Sequence, residues 1–216
     1  MPGTLFWDVD TQYDFMRADG KLYVPDAEAI IPNLKRLTRH AHGAGIRIFA
    51  SADDHVLGHR ELSDHPDFRE TFPLHCMHGT HGQSKIPETS LRDPLVIEPD
   101  PRDPMAIRSQ VRDHRGDLLA NKQWFDVFTN PNVEPAVAEL DPERIFIYGV
   151  ALDVCNKYAI EGLLDRRPPA SLFAVTDAMK PIDPARAEGL LAGWGRRGVT
   201  LITTDDAIKL SSEAIA

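Results

Sequence analysis

Short apolar runs alternate along this chain with stretches of helical periodicity. Continuous apolar runs are typical of strands buried on both faces of a sheet. Such runs predict strands at 4–9, 46–51, 94–99, 116–121, 144–150, 171–176 and 199–204. Because periodic stretches separate them, the pattern favours an α/β fold with a mostly parallel, Rossmann-like central sheet that helices cover on both faces.

The helical stretches carry start and stop signals. Asp26 is expected to cap a helix that begins directly after it, with apolar residues at helical spacing. Pro32 fits poorly inside that helix, which therefore begins later or kinks there. Gly43 and Gly45 are expected to end it. Further helices are predicted after the 144–150 strand, as far as Leu164, and over 184–197.

One long segment breaks the alternation. Residues 52–115 are rich in His, Asp and Pro, apart from the weak strand candidate at 94–99. A long structureless segment inside a compact domain is usually functional or disordered. We therefore expect a single domain over 1–216 that carries a large metal-binding and active-site insertion at about 52–115.

Charge and cysteine content narrow the functional class. The chain has 24 basic and 33 acidic residues, a net charge of −9, which argues against nucleic acid or an anionic membrane as partner. No signal peptide or long apolar span is visible. Cys76 and Cys155 are far apart and do not suggest a disulfide framework, so a cytoplasmic location is expected.

Reactive side chains cluster where predicted strands end. In parallel sheets, sites form beyond the carboxyl ends of the strands. The residues that fall there are Asp8, Asp10, Asp53, His55, Lys122 and Cys155. We therefore expect one site to collect them.

Cys155 is the candidate nucleophile. A thiol reacts as the thiolate, which a helix amino terminus and a nearby ammonium both favour, and Lys122 supplies the ammonium. Asp10 is the candidate base, and N–H groups between Gly149 and Cys155 are candidates for an oxyanion hole. Taken singly, each residue is more often a cap, a solvated side chain or core. Together, in this order, they favour catalysis.

The insertion offers metal ligands. Six of the nine histidines lie within residues 52–82. Asp53 and His55 alternate along an extended segment and face one way, His75 follows, and either His59 or Glu61 completes the set. Imidazole and carboxylate ligands suit Zn²⁺, Mn²⁺ or Fe²⁺. The other members of this region, His65, His78, His81 and Cys76, are expected to be surface or packing residues.

Five segments, in order over nearly the whole chain, resemble the nicotinamidase and isochorismatase-like cysteine hydrolases. Each segment alone is weak, but the combination is specific. They are "WDVDTQYDF", "ADDH", "FPLHCMHGTHG", "NKQWFDVF" and "GVALDVCNKYA".

The resemblance implies an α/β/α sandwich with a Cys155–Asp10–Lys122 triad. It also implies a cis peptide bond between Val150 and Ala151, which aims the Ala151 and Cys155 N–H groups at the oxyanion. The enzyme would be an amidohydrolase acting on a small amide, with nicotinamide as first candidate. The family often forms dimers or tetramers, so a homo-oligomer is one option.

The resemblance also implies a metal bound by Asp53, His55, His75 and either Glu61 or His59, with Glu61 preferred and Zn²⁺ the expected ion. Aromatic rings stack on the substrate in nicotinamidases, and Phe15 and Phe72 occupy the matching places. The chain departs from the family pattern at Tyr13, Asp54, Val154 and Asn156.

Three alternatives stay open at this point. The same fold could hydrolyse another small amide or a carbamoyl compound. The second alternative is of another functional class: a non-catalytic scaffold that binds a metal or ligand through its histidine loop. A metallohydrolase would use metal-bound water as the nucleophile.

Overall fold

A seven-stranded, all-parallel sheet forms the centre of the molecule. The structure, a computed structural model, describes residues 3–166 and 171–213. The sheet order is β3-β4-β2-β1-β5-β6-β7, which confirms the predicted fold class. The strands are β1 Thr4–Val9, β2 Arg47–Asp53, β3 Leu95–Ile97, β4 Leu118–Lys122, β5 Arg144–Val150, β6 Ser171–Lys180 and β7 Thr200–Ile202.

Helices cover both faces of the sheet. One apolar cluster packs α3 to α6 against the face that Trp7 presents, and the other packs α2 and α7 against the face of Phe6. The α-helices are α1 Tyr13–Met16, α2 Ile31–Ala44, α3 Pro104–Asp113, α4 Val133–Leu140, α5 Cys155–Arg166, α6 Pro184–Arg196 and α7 Thr204–Ser212. None of the helices over residues 3–166 and 171–213 is both long and apolar enough to span a bilayer.

The start of the first long helix differs from the prediction. Asp26 adopts a left-handed conformation (φ 59°), and its side chain caps nothing. A short 3-10 helix, Ala27–Ile30, follows it, and α2 begins at Ile31 with Pro32 in its first turn. Proline is tolerated there because the N–H it lacks has no helical partner. Gly45 ends the helix, whereas Gly43 lies within it.

The insertion is more ordered than predicted. Residues 52–115 contain β3, α3 and two 3-10 helices, His81–Gln83 and Pro87–Thr89. The sequence analysis also did not predict α4 and α7. The proposed single-domain boundaries stay a prediction.

The order of the strands places a crevice beside β1. Its neighbours are β2 on one side and β5 on the other, so the connections depart in opposite directions. Ligands of open α/β sheets bind at such a switch point, outside the carboxyl ends of the strands. The ends of β1, β2, β4 and β5 are therefore where the candidate residues converge.

Gly149 lets β1 and β5 approach closely. The pairing of β5 with β6 shifts register between Ile147 and Gly149. Gly149 has φ 116°, and a Cβ atom built on it would lie 2.0 Å from the carbonyl oxygen of Val9. Only glycine fits this position without displacing the end of β1.

Candidate active site

The three predicted catalytic side chains lie together beyond the sheet. Lys122 Nζ is 3.0 Å from Asp10 Oδ2 and 3.7 Å from Cys155 Sγ. Asp10 directly follows β1, Lys122 is the last residue of β4, and Cys155 is the first residue of α5. Asp10 and Lys122 are fully buried, whereas Cys155 keeps 8% of its surface exposed.

Asp10 is held from several sides. Its backbone is left-handed (φ 49°), and Ser51 Oγ donates to its Oδ1 at 2.6 Å. The Cys155 thiol is also within hydrogen-bonding reach of this carboxylate. Burial raises the pKa of Asp10, against the lowering effect of the Lys122 ammonium. A carboxylate whose pKa lies above its ordinary value holds a proton more readily, as a proton-transfer group must.

The charges around Cys155 oppose one another. Burial raises the pKa of its thiol well above the ordinary value, and Asp10 and Asp53 add to that, while Lys122 lowers it. The thiol form therefore dominates in the resting site. Its proton has a nearby acceptor in Asp10, so the pair can form the thiolate as the reaction proceeds.

Lys122 links the candidate triad to the insertion. Burial opposes its charge, but Asp10 and Asp53 outweigh burial and raise its pKa well above the ordinary value. Its ammonium donates a short hydrogen bond to Asp53 Oδ1. Burial alone would raise the pKa of Asp53, yet Lys122 and two imidazoles hold it below its usual range. Both partners are therefore charged.

The turn into α5 presents backbone N–H groups beside the thiol. The peptide bond from Val150 to Ala151 is cis. Cys155 begins α5, and the first N–H groups of a helix have no acceptor within it. The carbonyl of Ala151 accepts from Val154 N and Asn156 N at 3.1 Å each, which fixes the turn.

Four side chains of the insertion and β2 converge on one point. Asp53, His55, Glu61 and His75 are all buried, and one atom from each lies within 4.8 Å of the others. His75 Nε2 is 3.4 Å from Glu61 Oε1 and 3.6 Å from Asp53 Oδ2. His55 Nε2 is 3.9 Å from both carboxylates.

The two spacings from His75 match a tetrahedral metal ion, and the two from His55 are about 0.3 Å longer. Tetrahedral zinc with bonds of about 2.0–2.2 Å needs ligand atoms about 3.3–3.6 Å apart. Among the described residues, His55 Nε2, His75 Nε2 and Glu61 Oε2 are buried without a hydrogen-bond partner. A bound cation would give these three inward-facing buried atoms the partner that they lack.

The pKa values of the two imidazole rings are compatible with metal binding. Burial lowers the pKa of His55 to about 4, so its ring is neutral and offers a lone pair. Burial also opposes a charge on His75, but Asp53 and Glu61 outweigh it and raise its pKa to about 10. Metal binding to imidazole displaces such a proton.

His59 lies outside the cluster. Its Nδ1 is 3.3 Å from His55 Nδ1, on the side of the ring away from the other ligand atoms, and it also accepts from Val56 N at 3.3 Å. The structure thus brings Glu61, rather than His59, to the centre. His65, His78 and His81 are exposed, as expected.

An apolar cavity of about 270 Å³ opens onto the thiol. Phe15 and Phe72 line it, as do Asp53, Glu61 and Cys155. Sequence analysis missed the rest of its wall, although Phe125 stands three residues after Lys122 and was a signal that could have been used. The missed wall residues are Leu22, Tyr23, Val24, Pro25, Phe68, Phe125, Val150, Val154 and Ile182.

Gln12 is a positioning residue that the sequence analysis also missed. Its Oε1 accepts from Asp53 N at 2.7 Å, and its Nε2 donates to Asp53 O at 2.8 Å and Gln83 O at 2.7 Å. This buried amide ties the end of β1 to the end of β2. It therefore sets the distance between Asp10 and Asp53.

Asp8 does not join the site, which corrects the prediction. It lies within β1 on the face of Phe6, and its carboxylate binds Lys85 Nζ at 3.0 Å. Asp54, which departs from the family pattern, also lies outside the site. Its Oδ1 accepts from Gln83 Nε2 at 2.7 Å and binds His78 Nδ1 at 2.8 Å.

A family model matches most of the chain. The isochorismatase domain model covers residues 5–206. This chain belongs to the isochorismatase domain family. The predicted family and the prediction of a hydrolase enzyme are therefore confirmed.

Solved structures of the same fold are similar over nearly their full length. A pyrazinamidase of Pyrococcus horikoshii in complex with zinc is 22% identical with a TM-score of 0.73, covering 94% of this chain and 99% of that one. A nicotinamidase/pyrazinamidase of Bacillus subtilis is 16% identical (TM-score 0.71, 93% and 99% covered). An N-carbamoylsarcosine amidase of Thermoplasma acidophilum is 19% identical (TM-score 0.68, 94% and 97% covered). No curated protein matches the sequence significantly.

Proposed function

We propose that this isochorismatase-family chain is a metal-containing cysteine amidohydrolase that hydrolyses a small amide, with nicotinamide as the first candidate, to a carboxylate and ammonia. The observation that carries the proposal is the meeting of Cys155, Lys122 and Asp10, with Cys155 on the wall of an apolar cavity. Pyrazinamidases and nicotinamidases share the fold, which supports this substrate class.

Asp10 moves the protons of the reaction. It takes the thiol proton as Cys155 Sγ bonds to the amide carbon, and the carbonyl electrons move onto oxygen. It then gives that proton to the leaving nitrogen as the C–N bond breaks, releasing ammonia and a thioester. Water loses a proton to Asp10 as it attacks the thioester, and the sulfur takes that proton as it leaves.

Lys122 and the turn residues stabilise charge. The ammonium of Lys122 favours the ionised form of Asp10, against the effect of burial, and faces the developing thiolate. The backbone N–H groups of Ala151 and Cys155 bind the oxyanion, and each such donor typically lowers the barrier by about 3–4 kcal/mol. The burial of all three groups strengthens these interactions, because few water dipoles screen them.

Asp53, His55, Glu61 and His75 would hold the metal, for which we propose zinc, with Mn²⁺ or Fe²⁺ as alternatives. The zinc complex of the Pyrococcus pyrazinamidase supports this choice. When bound, the ion supplies a Lewis acid for a ring nitrogen of the substrate.

Phe15 and Phe72 are proposed to pack against the substrate. Both line the cavity that reaches Cys155 and Glu61, so a flat ring fits between the thiol and the metal cluster. A carbamoyl compound is a second candidate, because an N-carbamoylsarcosine amidase shares the fold. Both cysteines are free, which suits the cytoplasm, the compartment we propose.

The test is ammonia release from nicotinamide by the metal-loaded protein. Cys155→Ala should lower kcat by about 10⁴-fold or more, as loss of a covalent nucleophile does. Cys76→Ala is the matched control, since Cys76 is also free and buried but lies outside the triad, and it should keep near-normal turnover. Undiminished release by Cys155→Ala would refute the mechanism and favour metal-bound water. No release from any small amide or carbamoyl compound would favour a binding scaffold.

A further inference from the structure

A second cavity, larger than the first, lies directly outside the candidate active site. Its volume is about 670 Å³, against about 270 Å³ for the apolar inner cavity. The two share a wall of five side chains: Phe68, Phe72, Phe125, Val154 and Ile182. The two cavities are therefore adjacent, and only side chains separate them.

Three cationic side chains line the outer cavity from three different elements. Arg69 belongs to the insertion, Lys157 to α5 and Arg186 to α6. Within residues 3–166 and 171–213, none of the three side chains forms an ion pair, and the Lys157 ammonium lies 4.9 Å from the centre of the Tyr158 ring. Such a grouping is unexpected in a chain with a net charge of −9.

The acidic residues of the same lining do not neutralise these cations directly. Asp153 accepts from Ile182 N at 2.8 Å and Asp183 N at 3.0 Å. Asp183 caps α6 by accepting from Ala185 N at 2.9 Å. Both carboxylates keep their charge, but their oxygens bind backbone N–H groups rather than the cations, and the exposed Glu70 is the third acid of the lining.

Lys157 and Arg186 also stand at positions that are unfavourable for helix stability. Each is the third residue of its helix, and neither first turn contains an acidic residue. The positive end of a helix dipole disfavours cations in this turn. The Asp183 carboxylate already offsets this cost at the start of α6. A ligand anion in the outer cavity would offset it for Lys157.

We propose that the outer cavity binds an anionic group carried by the substrate, so that the amide this enzyme cleaves bears a carboxylate or phosphate at the end remote from the scissile bond. This inference rests on the proposed amidohydrolase function and narrows its substrate from nicotinamide itself, which has no anionic group, to a small amide that carries one. Guanidinium groups match the geometry of both anions. Arg69 and Arg186 are then specificity residues that lie away from the reacting atoms.

The test uses nicotinamides that carry, at the ring carbon meta to the carboxamide, a two-carbon arm that ends in a carboxylate, a phosphonate, a methyl or an ammonium group. Binding is measured by calorimetry on the zinc-loaded Cys155→Ala protein, so that no turnover intervenes. We expect the two anionic probes to bind more tightly than the methyl probe, and the ammonium probe to bind least. Comparison of the anionic probes distinguishes a carboxylate site from a phosphate site.

Charge-removing variants locate the effect. Arg69→Gln and Arg186→Gln, each added to Cys155→Ala, should weaken binding of the anionic probes about twofold to fivefold, and together should abolish the preference over the methyl probe. Arg39→Gln, an exposed arginine on α2, is the matched control and should change nothing. Added salt should reduce the preference in the Cys155→Ala protein.

The outcomes separate this inference from the proposed function. Equal binding of charged and methyl probes, no binding of any probe, or a preference that survives in the double arginine variant overturns the inference. Ammonia release from the methyl probe by the unmutated enzyme, absent in Cys155→Ala, would still support the amidohydrolase in that case. Conversely, an arginine-dependent preference without ammonia release from any probe would support the anion site and count against the amidohydrolase.

Discussion

Two buried clusters of charge form around Asp8, within β1, and around Asp10, directly after it, and they differ in how many of their polar atoms have hydrogen-bond partners. Asp8 belongs to a cluster that closes on itself: Thr11 donates to its carboxylate at 2.9 Å, Lys85 pairs with it at 3.0 Å, and Thr89 bonds Thr11 at 2.7 Å. Asp10 belongs to a cluster in which buried ring nitrogens and a carboxylate oxygen have no hydrogen-bond partner among the described residues.

The difference separates a structural cluster from a reactive one. Buried polar groups normally find partners, because an unpaired one costs roughly 1–3 kcal/mol. Within the described part of the chain, the Asp8 cluster satisfies this rule, and none of its four residues lines either of the two cavities described above. The Asp10 cluster breaks it where it meets a cavity and a group of potential metal ligands. Buried polar atoms that lack a hydrogen-bond partner next to a cavity are thus a better sign of a functional site than buried charge alone.

The largest expected effect comes from removing the charge of Asp10. Asp10→Asn keeps the shape of the side chain but cannot accept the thiol proton, so kcat for ammonia release should fall by about 10³-fold or more. Asp8→Asn, assayed on folded protein, should keep activity within a few fold. Equal losses in both variants would remove the distinction between the clusters.

The closed cluster should matter for stability instead. Lys85→Met leaves the buried Asp8 carboxylate unpaired, which should lower the free energy of unfolding by about 3–5 kcal/mol. Urea denaturation followed by circular dichroism measures it. Lys35→Met, an exposed lysine on α2, should shift the midpoint very little. A loss below about 1 kcal/mol for Lys85→Met would mean that burial of this pair contributes little net stability.

The cluster that contains Glu61 should reveal its function in measurements of metal binding. Glu61→Gln should weaken zinc binding by at least about 100-fold, more than the loss of an outer hydrogen-bond partner usually costs. Titration against a chelator, with metal content as readout, measures this change. His59→Gln should have a smaller effect, since His59 contacts only the far side of the His55 ring. The reverse ranking would make His59 the ligand.

A third buried group gives the smallest expected effect. Asn156 is fully buried next to the thiol, and within the described parts of the chain neither atom of its amide has a hydrogen-bond partner. Asn156→Val should therefore raise the free energy of unfolding by about 1 kcal/mol. A fall in the urea midpoint would instead mean that a buried water satisfies the amide.

The elements that could be predicted from sequence are those with a continuous apolar pattern. Strands β1, β2 and β5 are buried along almost their whole length, and their runs predicted them. Helix α3 was missed because only Ile107 and Val111 of its ten residues are buried, too few for a visible period. Packing against α4, rather than propensity, holds it in place.

The site residues that could be predicted from sequence are likewise those placed by the strand pattern. The order of Asp10, Lys122 and Cys155 at strand ends predicted their meeting, because a parallel sheet brings those ends to one edge. Asp8 was misplaced because it lies within β1, where Lys85 pairs with it, whereas the site lies beyond the end of the strand. The cavity wall was mostly missed, since loops contribute Leu22, Phe68 and Ile182 without any periodic pattern.

The tight fit at Gly149 has a consequence for laboratory evolution. The space between β5 and the last carbonyl of β1 excludes even a methyl group. In a library randomised at this codon, we expect active clones to carry glycine alone, however strong the selection for new substrates. Efforts to broaden the enzyme's repertoire should therefore leave this position untouched and diversify the loops that enclose the cavity.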